Sequence, residues 1–398
     1  MITVTEATVA VLAHQRDFGT ELVPFEQAQG RVLAEELHAD RDFPPFNRVM
    51  MDGIAINWDA FAKGQRKFEI HGLQAAGSPD QPLTAMDGCL EIMTGAMLST
   101  GADTVIRYED VAIADGWATI EVENITQGQH IHLQAEDRKT GDLLVAENTV
   151  LSPAELGVAA TIGREKLLVK KLPRVIVVST GDELVEVGAT PLKHQVRRSN
   201  VHTLVALLQQ SGIAAETGHL NDKRDEIRAV LSKYLESFDV ILMSGGVSKG
   251  KLDYVPEILE ELQVTKAFHK VRQRPGKPFW FGYLTGKAVV FAFPGNPVST
   301  FMCAKRYFEP WLRNSLGLPP FEHPFAALTT DFYFKPDLQY FLQVKVVYDT
   351  SGQLLAEPIV GHGSGDLANL GDADGFLELP QGRDTFNKGE AFPLITYR

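Results

Sequence analysis

Val240-Ile241-Leu242-Met243-Ser244-Gly245-Gly246-Val247-Ser248 joins an apolar run to a loop of glycine and serine, and an amphipathic pattern begins near Asp253. This order predicts a buried strand that ends in a loop and continues into a helix. Such a loop presents bare backbone N–H groups, which suit a phosphate or another oxyanion. A tight turn uses the same residues, so the loop alone does not separate a ligand site from a turn.

The segment around this loop repeats the order of strand, loop and helix. Apolar strands are predicted at residues 174–179 and 288–293, and helices begin at Ser199-Asn200, at Asp222 and at Val298, the last running to residue 308. Repeated units of this type predict a parallel sheet covered by helices, with ligands at the carboxyl ends of the strands. We therefore expect the loops that follow these strands to share one rim of the sheet.

The flanking segments have other patterns. Residues 3–40 suggest helical pieces, and Ser152-Pro153-Ala154-Glu155 has the capping serine, first-turn proline and third-position glutamate of a helix start. Between about 47 and 147, short alternating apolar runs and many glycines predict a β-rich domain. Residues 324–398 alternate again, most clearly at 341–347, and predict a small β-barrel.

Composition excludes several classes of protein. The 398 residues are 44% hydrophobic and 22% charged, as in a globular protein of two to four domains. No apolar run approaches the roughly 18 residues of a membrane span, and the N-terminus lacks a signal peptide, so we expect a cytoplasmic protein. Two cysteines, Cys89 and Cys303, exclude a disulfide framework. A net charge of −13 disfavours binding to nucleic acids.

Five loop regions carry residues that could bind ligands or perform chemistry. They lie at 50–53, 93–97, 179–183, 244–253 and, as a pair, 275–278 with 294–297. Carboxylates such as Glu183 and Asp253 could hold Mg²⁺, which prefers oxygen ligands, although Asp182 and Asp253 could equally cap helices. Asp52 and Thr94 each stand beside a glycine and are also consistent with simple turns. Together the loops indicate a Mg²⁺-dependent site that handles phosphate.

A cationic run accompanies these loops. Residues 266–277 contain five lysines and arginines and no acidic residue, which is a local exception on an acidic chain. The run suits a small anionic ligand, and it equally suits an edge strand guarded by charged residues. The chain has no Walker sequence and no Gly-x-Gly-x-x-Gly after a strand of this segment, which disfavours P-loop NTPases and dinucleotide oxidoreductases.

Together the motifs resemble those of the MoeA-type molybdopterin molybdenumtransferases, a family that includes the C-terminal domain of gephyrin. The resemblance runs in order over nearly the whole chain. It rests on Met51-Asp52-Gly53, Thr94-Gly95-Ala96, Gly101-Ala102-Asp103, Ser179-Thr180-Gly181-Asp182-Glu183-Leu184, Ser199-Asn200, residues 244–248 with Asp253-Tyr254, residues 275–278 and residues 294–299.

The resemblance implies an elongated homodimer of four-domain chains, in the α/β and β multidomain class. The domains would be a helical and extended unit (1–46 with 141–172), a β-rich unit (47–140), a molybdopterin-binding type of parallel α/β unit (173–323) and a C-terminal β-barrel (324–398). The active cleft would lie between the α/β unit of one subunit and the β-rich unit of the other. Asp52 and Thr94 would therefore reach the site from the partner subunit.

The implied reaction is molybdenum insertion. Adenylylated molybdopterin would be cleaved with the help of Mg²⁺, AMP would be released, and molybdenum from molybdate would enter the dithiolene. The expected partners are these two substrates, a second copy of the chain and the adenylyltransferase that acts one step earlier. Neither a nucleic acid nor a membrane is expected.

The family's functional residues map onto matching positions of this chain. Asp52, Thr94, Glu183 and Asp253 would be catalytic, and Asp253 with Asp222 or Glu183 would hold Mg²⁺. The expected substrate-binding residues are Ser244, Gly245, Gly246, Ser248, Lys270, Arg274, Lys277, Pro294, Gly295, Asn296 and Ser364.

The chain departs from the family pattern at three places. Arg274 stands where lysine is frequent, Arg197-Arg198 precede Ser199, and residues 337–343 lack the usual two arginines, with Leu338 and Gln343 in that region. The missing arginines keep a second hypothesis open, a non-catalytic molybdopterin-binding or scaffold paralogue. The retained acidic loop residues argue against it. A molybdopterin adenylyltransferase is disfavoured because it would share only the α/β unit.

Overall fold

A computed structural model of the chain describes residues 1–247, 253–361 and 363–398. The N-terminal part forms helix α1 (Val4–Leu12) and strands β1 (Thr20–Pro24) and β2 (Leu37–His38). Thr3 and Glu6 form a capping box at the start of α1. The prediction of helical pieces up to residue 40 was wrong for residues 20–24, which pair as a strand. Within the described ranges, no helix is long and apolar enough to cross a membrane.

The next part is β-rich, as predicted. Its elements are β3 (Arg48–Val49), β4 (Gly53–Ile56), α2 (Trp58–Ala62), β5 (Lys67–Gln74), β6 (Gly88–Ile92), β7 (Thr104–Arg107), β8 (Val111–Ala114), β9 (Trp117–Ile120) and β10 (Ile131–His132). Six of these strands form one sheet in the order β7-β4-β6-β5-β9-β8. Ile54, Phe68 and Ile106 are buried together in its core.

The chain then returns to its first segment. The elements here are β11 (Leu143–Val145), α3 (Pro153–Thr161) and β12 (Lys166–Lys170). β12 pairs antiparallel with β1, and β11 pairs antiparallel with β2. Ser152 and Glu155 form the predicted capping box of α3. The strand pairs therefore join two segments that are more than a hundred residues apart in the chain.

The central part is built around a mixed sheet. Its elements are β13 (Val175–Thr180), β14 (Leu184–Val185), β15 (Val196–Arg197), α4 (Asn200–Gln210), β16 (Glu216–Leu220), α5 (Arg224–Ser237), β17 (Val240–Ser244), α6 (Val255–Glu261), β18 (Thr265–His269), β19 (Gln273–Arg274), β20 (Trp280–Leu284), β21 (Ala288–Phe293), α7 (Pro297–Cys303) and α8 (Glu309–Ser315). The sheet order is β16-β13-β17-β21-β20-β18. The first four strands are parallel, and β20 and β18 extend the sheet antiparallel.

Burial on both faces explains the continuous apolar runs of β13 and β17. Val177 and Leu242 pack on one face, with Leu204 of α4. Val178 and Met243 pack on the other face with residues of α5 and α6. The helix predicted at 298–308 corresponds to α7 together with the π-helical segment Ala304–Phe308. This segment connects α7 directly to α8.

The C-terminal part is a small barrel. It contains β22 (Phe325–Leu328), β23 (Phe332–Tyr333), β24 (Gln339–Tyr348), β25 (Leu354–Pro358), α9 (Asn369–Asp372), β26 (Gly375–Leu379), β27 (Thr385–Phe386) and β28 (Ala391–Thr396). The order β19-β24-β25-β22-β28-β26 closes through a further pairing of β24 with β26. The apolar and polar residues at 341–347 were predicted to alternate between buried and exposed, but Phe341 and Leu342 are both buried. Leu342 faces the barrel core, while Phe341 packs into the core of the α/β part.

Candidate active site

The loops that follow β13, β17 and β21 meet at one cleft of about 600 Å³, as their positions after parallel strands predict. The lining combines glycines, carboxylates, two arginines and the prolines of two loops. The site residues predicted from the sequence that line it are Glu183, Asp222, Ser244, Gly245, Gly246, Asp253, Pro294, Gly295 and Asn296. Ser248 was predicted to bind substrate and lies outside the described residues.

The glycine loop after β17 adopts a backbone conformation that residues other than glycine disfavour. Gly245 and Gly246 have φ angles of 95° and 72°, in the left-handed region that favours glycine. A Cβ on Gly246 would lie 2.8 Å from Val255 Cγ2 and 2.9 Å from Thr180 Oγ1. The N–H of Gly245 donates to the Phe293 carbonyl oxygen, whereas those of Gly246 and Val247 donate to no acceptor within the described ranges. In the described part of this loop, the N–H groups that could receive a ligand therefore begin at Gly246.

Asn200 belongs to one of the motifs that carry the resemblance, although no role was assigned to it, and it connects the loops of the cleft. Its Nδ2 donates to Ser244 Oγ and to the Gly295 carbonyl oxygen, both at 2.7 Å. Thr300 Oγ1 donates to the Pro294 carbonyl oxygen at 2.6 Å and completes the network. Apart from that motif, its signal in the sequence was a polar residue at a helix start, which is ordinarily interpreted as a cap.

Carboxylates gather at one side of the cleft. The pKa of Asp222 is raised, first by burial and then by the negative charges of Asp182, Glu183 and Asp253. Asp222 was predicted to open a helix, but α5 begins at Arg224 after Lys223, and Asp222 lines the cleft instead. Across the part of the chain that the structure describes, no three His, Cys, Asp or Glu side chains form a group that could hold a metal ion.

A second, smaller cavity of about 60 Å³ adjoins the α/β part and the barrel. Arg274 and Ser364 line it together with Gln343. Asn296 Nδ2 donates to Ser364 Oγ at 2.7 Å, which ties the barrel to a loop of the large cleft. Gln343 is 8% exposed, and its Oε1 accepts from Asn369 Nδ2 at 3.0 Å. Its Nε2 is buried without a hydrogen-bond partner in the described structure.

Residues of the cationic run at 266–277 differ in their surroundings: one fits a charged edge strand and another fits an anion site, the two interpretations made from the sequence. Lys266 lies on the edge strand β18 and forms an ion pair with Glu260, as expected of a guarded edge. Arg274 lines the small cavity, as expected of a ligand site. Lys270 and Lys277 line neither cavity among the described residues. Two arginines that the sequence marked only as departures, Arg197 and Arg198, line the large cleft.

Asp52 and Thr94 contact each other across 42 residues of sequence. Asp52 Oδ1 accepts from the Thr94 N–H at 2.6 Å and from Thr94 Oγ1 at 2.7 Å. These hydrogen bonds lower the pKa of the Asp52 carboxyl. Both residues are exposed, and in the described part of the chain they line neither cavity. The structure therefore joins this pair but does not bring it to the cleft of the same chain.

Three family models match consecutive parts of the chain. They are the MoeA N-terminal region (domain I and II) at residues 2–163, a probable molybdopterin binding domain at 176–314, and the MoeA C-terminal region (domain IV) at 326–397. A molybdopterin molybdenumtransferase of Synechocystis is 41% identical over the full length of both chains. The chain belongs to the molybdopterin molybdenumtransferase family.

Further relatives of this family agree in length and fold. A molybdopterin molybdenumtransferase of Staphylococcus aureus is 29% identical over 99% of this chain and 95% of its own. A solved molybdopterin biosynthesis MoeA protein from Pyrococcus horikoshii superposes with a TM-score of 0.85, at 28% identity, over 100% of this chain and 99% of the other. The resemblance and the multidomain fold predicted from the sequence are thus confirmed.

Proposed function

We propose that this protein inserts molybdenum into molybdopterin: it cleaves adenylylated molybdopterin with Mg²⁺, releases AMP and transfers molybdenum from molybdate to the dithiolene. The observation that carries the proposal is the pair of adjoining cavities, which share two segments of chain. Pro278 and Gly365 line the large cleft, while Arg274 and Ser364, from the same two loops, line the small cavity. An organic phosphate and a small oxyanion would therefore be held side by side.

The large cleft suits the adenylylated pterin. Its volume of about 600 Å³ lies in the range of sites for organic ligands of moderate size. The N–H groups of Gly246 and Val247 would receive a phosphate, and the exposed guanidinium of Arg197 adds positive charge to the lining. Fixed donors of this kind stabilise charge that develops on a leaving phosphate.

The carboxylates fit a magnesium ion. Burial and, after it, the like charges around Asp222 raise its pKa, and a bound cation would relieve the repulsion between those charges. Mg²⁺ commonly takes one or two protein carboxylates and completes its shell with water and substrate phosphate. Asp253, with Asp222 or Glu183, would hold the ion, which would offset negative charge on the phosphoanhydride when bound.

The small cavity suits molybdate. Arg274 would supply positive charge, while Ser364 Oγ and Gln343 Nε2, which has no partner among the described residues, would supply hydrogen bonds. A neutral amide attracts an oxyanion less strongly than a guanidinium does. We therefore expect molybdate to bind this chain more weakly than it binds a relative with arginine at this position.

A homodimer would complete the site. Asp52 and Thr94 form a preorganised pair that lies, within the described structure, outside the lining of the chain's own cavities. In the proposed dimer, this pair faces the large cleft of the partner subunit and positions the substrate there. The division of the chain at 1–46 with 141–172, 47–140, 173–323 and 324–398 places the pair and the cleft in different units.

A non-catalytic molybdopterin-binding paralogue is the second candidate, and the neutral lining at Gln343 is the observation that favours it. A bacterial strain that lacks its molybdenum insertase distinguishes the two. The proposed function predicts that the gene restores a molybdoenzyme activity, with fuller rescue at high molybdate. Failure at every molybdate concentration, by a protein that still binds molybdopterin, would contradict the enzyme and support the paralogue.

A further inference from the structure

The loop that carries Arg274 and Lys277 rests on a buried glutamine. Gln273 is 0% exposed, and its backbone pairs with Gln339 of the barrel strand β24. Its Nε2 donates to the carbonyl oxygen of Gly276 at 3.3 Å and to Cys303 Sγ at 3.4 Å. The same carbonyl also accepts from the N–H of Phe279 at 3.1 Å. The buried side chain of Gln273 thus holds the loop at Gly276.

Tyr307 fixes the orientation of that glutamine. A backbone carbonyl can only accept, so the Gly276 oxygen requires the NH₂ group of Gln273 on its side. Gln273 Oε1 is then left to accept from the Tyr307 hydroxyl, with which it forms a hydrogen bond. Burial raises the pKa of Tyr307 well above its ordinary value, so the hydroxyl keeps its proton and always donates.

The fold places Tyr307 in an unusual backbone segment. It lies in the π-helical stretch Ala304–Phe308, and π-helical turns are frequent at functional sites. Its ring packs against Phe279, with centroids 4.9 Å apart. Gly276 sits so close to this arrangement that a Cβ would lie 2.5 Å from Cys303 Sγ and 2.7 Å from Gln273 Nε2. This close packing around Gly276 restricts the conformations that the loop can adopt.

We propose that Gln273 and Tyr307 are positioning residues that hold the 274–277 loop in the conformation in which Arg274 faces the small cavity. The inference rests on the proposed function in one respect, namely that molybdate is the anion bound there. Neither side chain lines either cavity among the described residues, so both act through the loop. Loss of the hydroxyl would leave Gln273 Oε1 unpaired in the core and free the amide to turn away from Gly276.

The test compares Tyr307→Phe, Gln273→Met and the double variant with the wild-type full chain. Calorimetric titration with sodium molybdate should show roughly tenfold weaker binding for Tyr307→Phe and weaker binding still for Gln273→Met. The double variant should bind no more weakly than Gln273→Met, because the two residues act as one unit. Tyr234→Phe, which alters a tyrosine in the other core of the same sheet, is the control and should bind as the wild type does.

Hydrogen exchange provides a readout that requires no anion. Mass spectrometry should show at least fivefold faster amide exchange over residues 271–279 in Tyr307→Phe, with exchange in the β-rich sheet unchanged. Unchanged exchange, or a lower melting temperature with unaltered molybdate affinity, would overturn the positioning role. A wild-type protein that binds no molybdate would instead contradict the proposed function, and the exchange measurement would still decide the role of the pair.

Discussion

Replacing Asn200 should loosen the large cleft without touching its carboxylates. Asn200→Ala removes two hydrogen bonds of 2.7 Å, to Ser244 Oγ and to the Gly295 carbonyl oxygen. Each such bond contributes about 0.5–1.5 kcal/mol to the free energy of unfolding. Ser244 Oγ keeps Thr300 Oγ1 at 3.3 Å, and the Gly295 carbonyl lies where water can reach it. We therefore expect a loss of about 1–2 kcal/mol, or roughly 1–3 °C in the melting temperature of a chain of 398 residues.

Activity should fall further than stability suggests. The two lost bonds join the loop after β17 to the loop after β21, and both loops line the cleft. A displacement of about 1 Å in a binding loop can lower a rate by about a hundredfold. We expect AMP release from adenylylated molybdopterin to fall by about 10- to 100-fold at saturating substrate.

Asn200→Asp provides a matched test of the reasoning. The carboxylate has the same shape as the amide but cannot donate to the Gly295 carbonyl oxygen, and its charge would repel that oxygen. Aspartate should therefore be more damaging than alanine in both scanning calorimetry and the AMP assay. Asn314→Ala, at a half-buried position on α8, is the control. A mild effect of aspartate, or Asn200→Ala activity within twofold of wild type, would refute the account of this network.

Three other perturbations follow from the same structure. Asp222→Asn should raise the Mg²⁺ concentration for half-maximal AMP release by roughly tenfold. The raised pKa of Asp222 means that this carboxylate is protonated at a higher pH than an ordinary aspartate, so Mg²⁺ activation of the wild type should weaken as the pH falls. The variant should lose this part of the pH dependence. Gly246→Ala, with φ at 72° and a Cβ 2.8 Å from Val255 Cγ2, should cost at least tenfold in AMP release, and equal rates would contradict the proposed loop. Random mixing of Asp52→Ala and Asp253→Asn subunits should restore roughly a quarter of wild-type activity, because about half of the dimers are then mixed and each mixed dimer holds one intact cleft of two, whereas each parent alone stays inactive; no recovery on mixing would contradict a shared cleft.

The strands and loops that form the cleft follow from sequence because their signals are local. The apolar runs of β13, β17 and β21 are buried on every residue, and each is followed directly by its glycine loop. The antiparallel direction of β18 and β20 was not predicted, because strand direction depends on how the connections fold back. The π-helical segment at 304–308 was predicted as part of one continuous helix, because it contains no glycine or proline that would mark an interruption.

The parts of the site that sequence missed depend on contacts between distant residues. Asn200 is 44 residues from Ser244 and 95 from Gly295, and its role exists only where the three loops meet. Asp222 was named as a magnesium ligand only through the resemblance, because its position in the sequence suggests a helix cap and only the packed sheet brings it beside Asp182 and Glu183. Gln273 and Tyr307 are 34 residues apart and would each be expected to serve only the core. Motif resemblance found residues that line the cleft, Asn200 among them, but not the contacts that hold the loops in place.

The central claim is that the two cavities together perform molybdenum insertion. The direct test incubates purified protein with adenylylated molybdopterin, molybdate and Mg²⁺, and then measures released AMP and dithiolene-bound molybdenum. The account predicts equal amounts of both products, an absolute requirement for Mg²⁺, and loss of both products in Asp253→Asn. A folded wild-type protein that binds the adenylylated pterin but forms neither product would contradict the account.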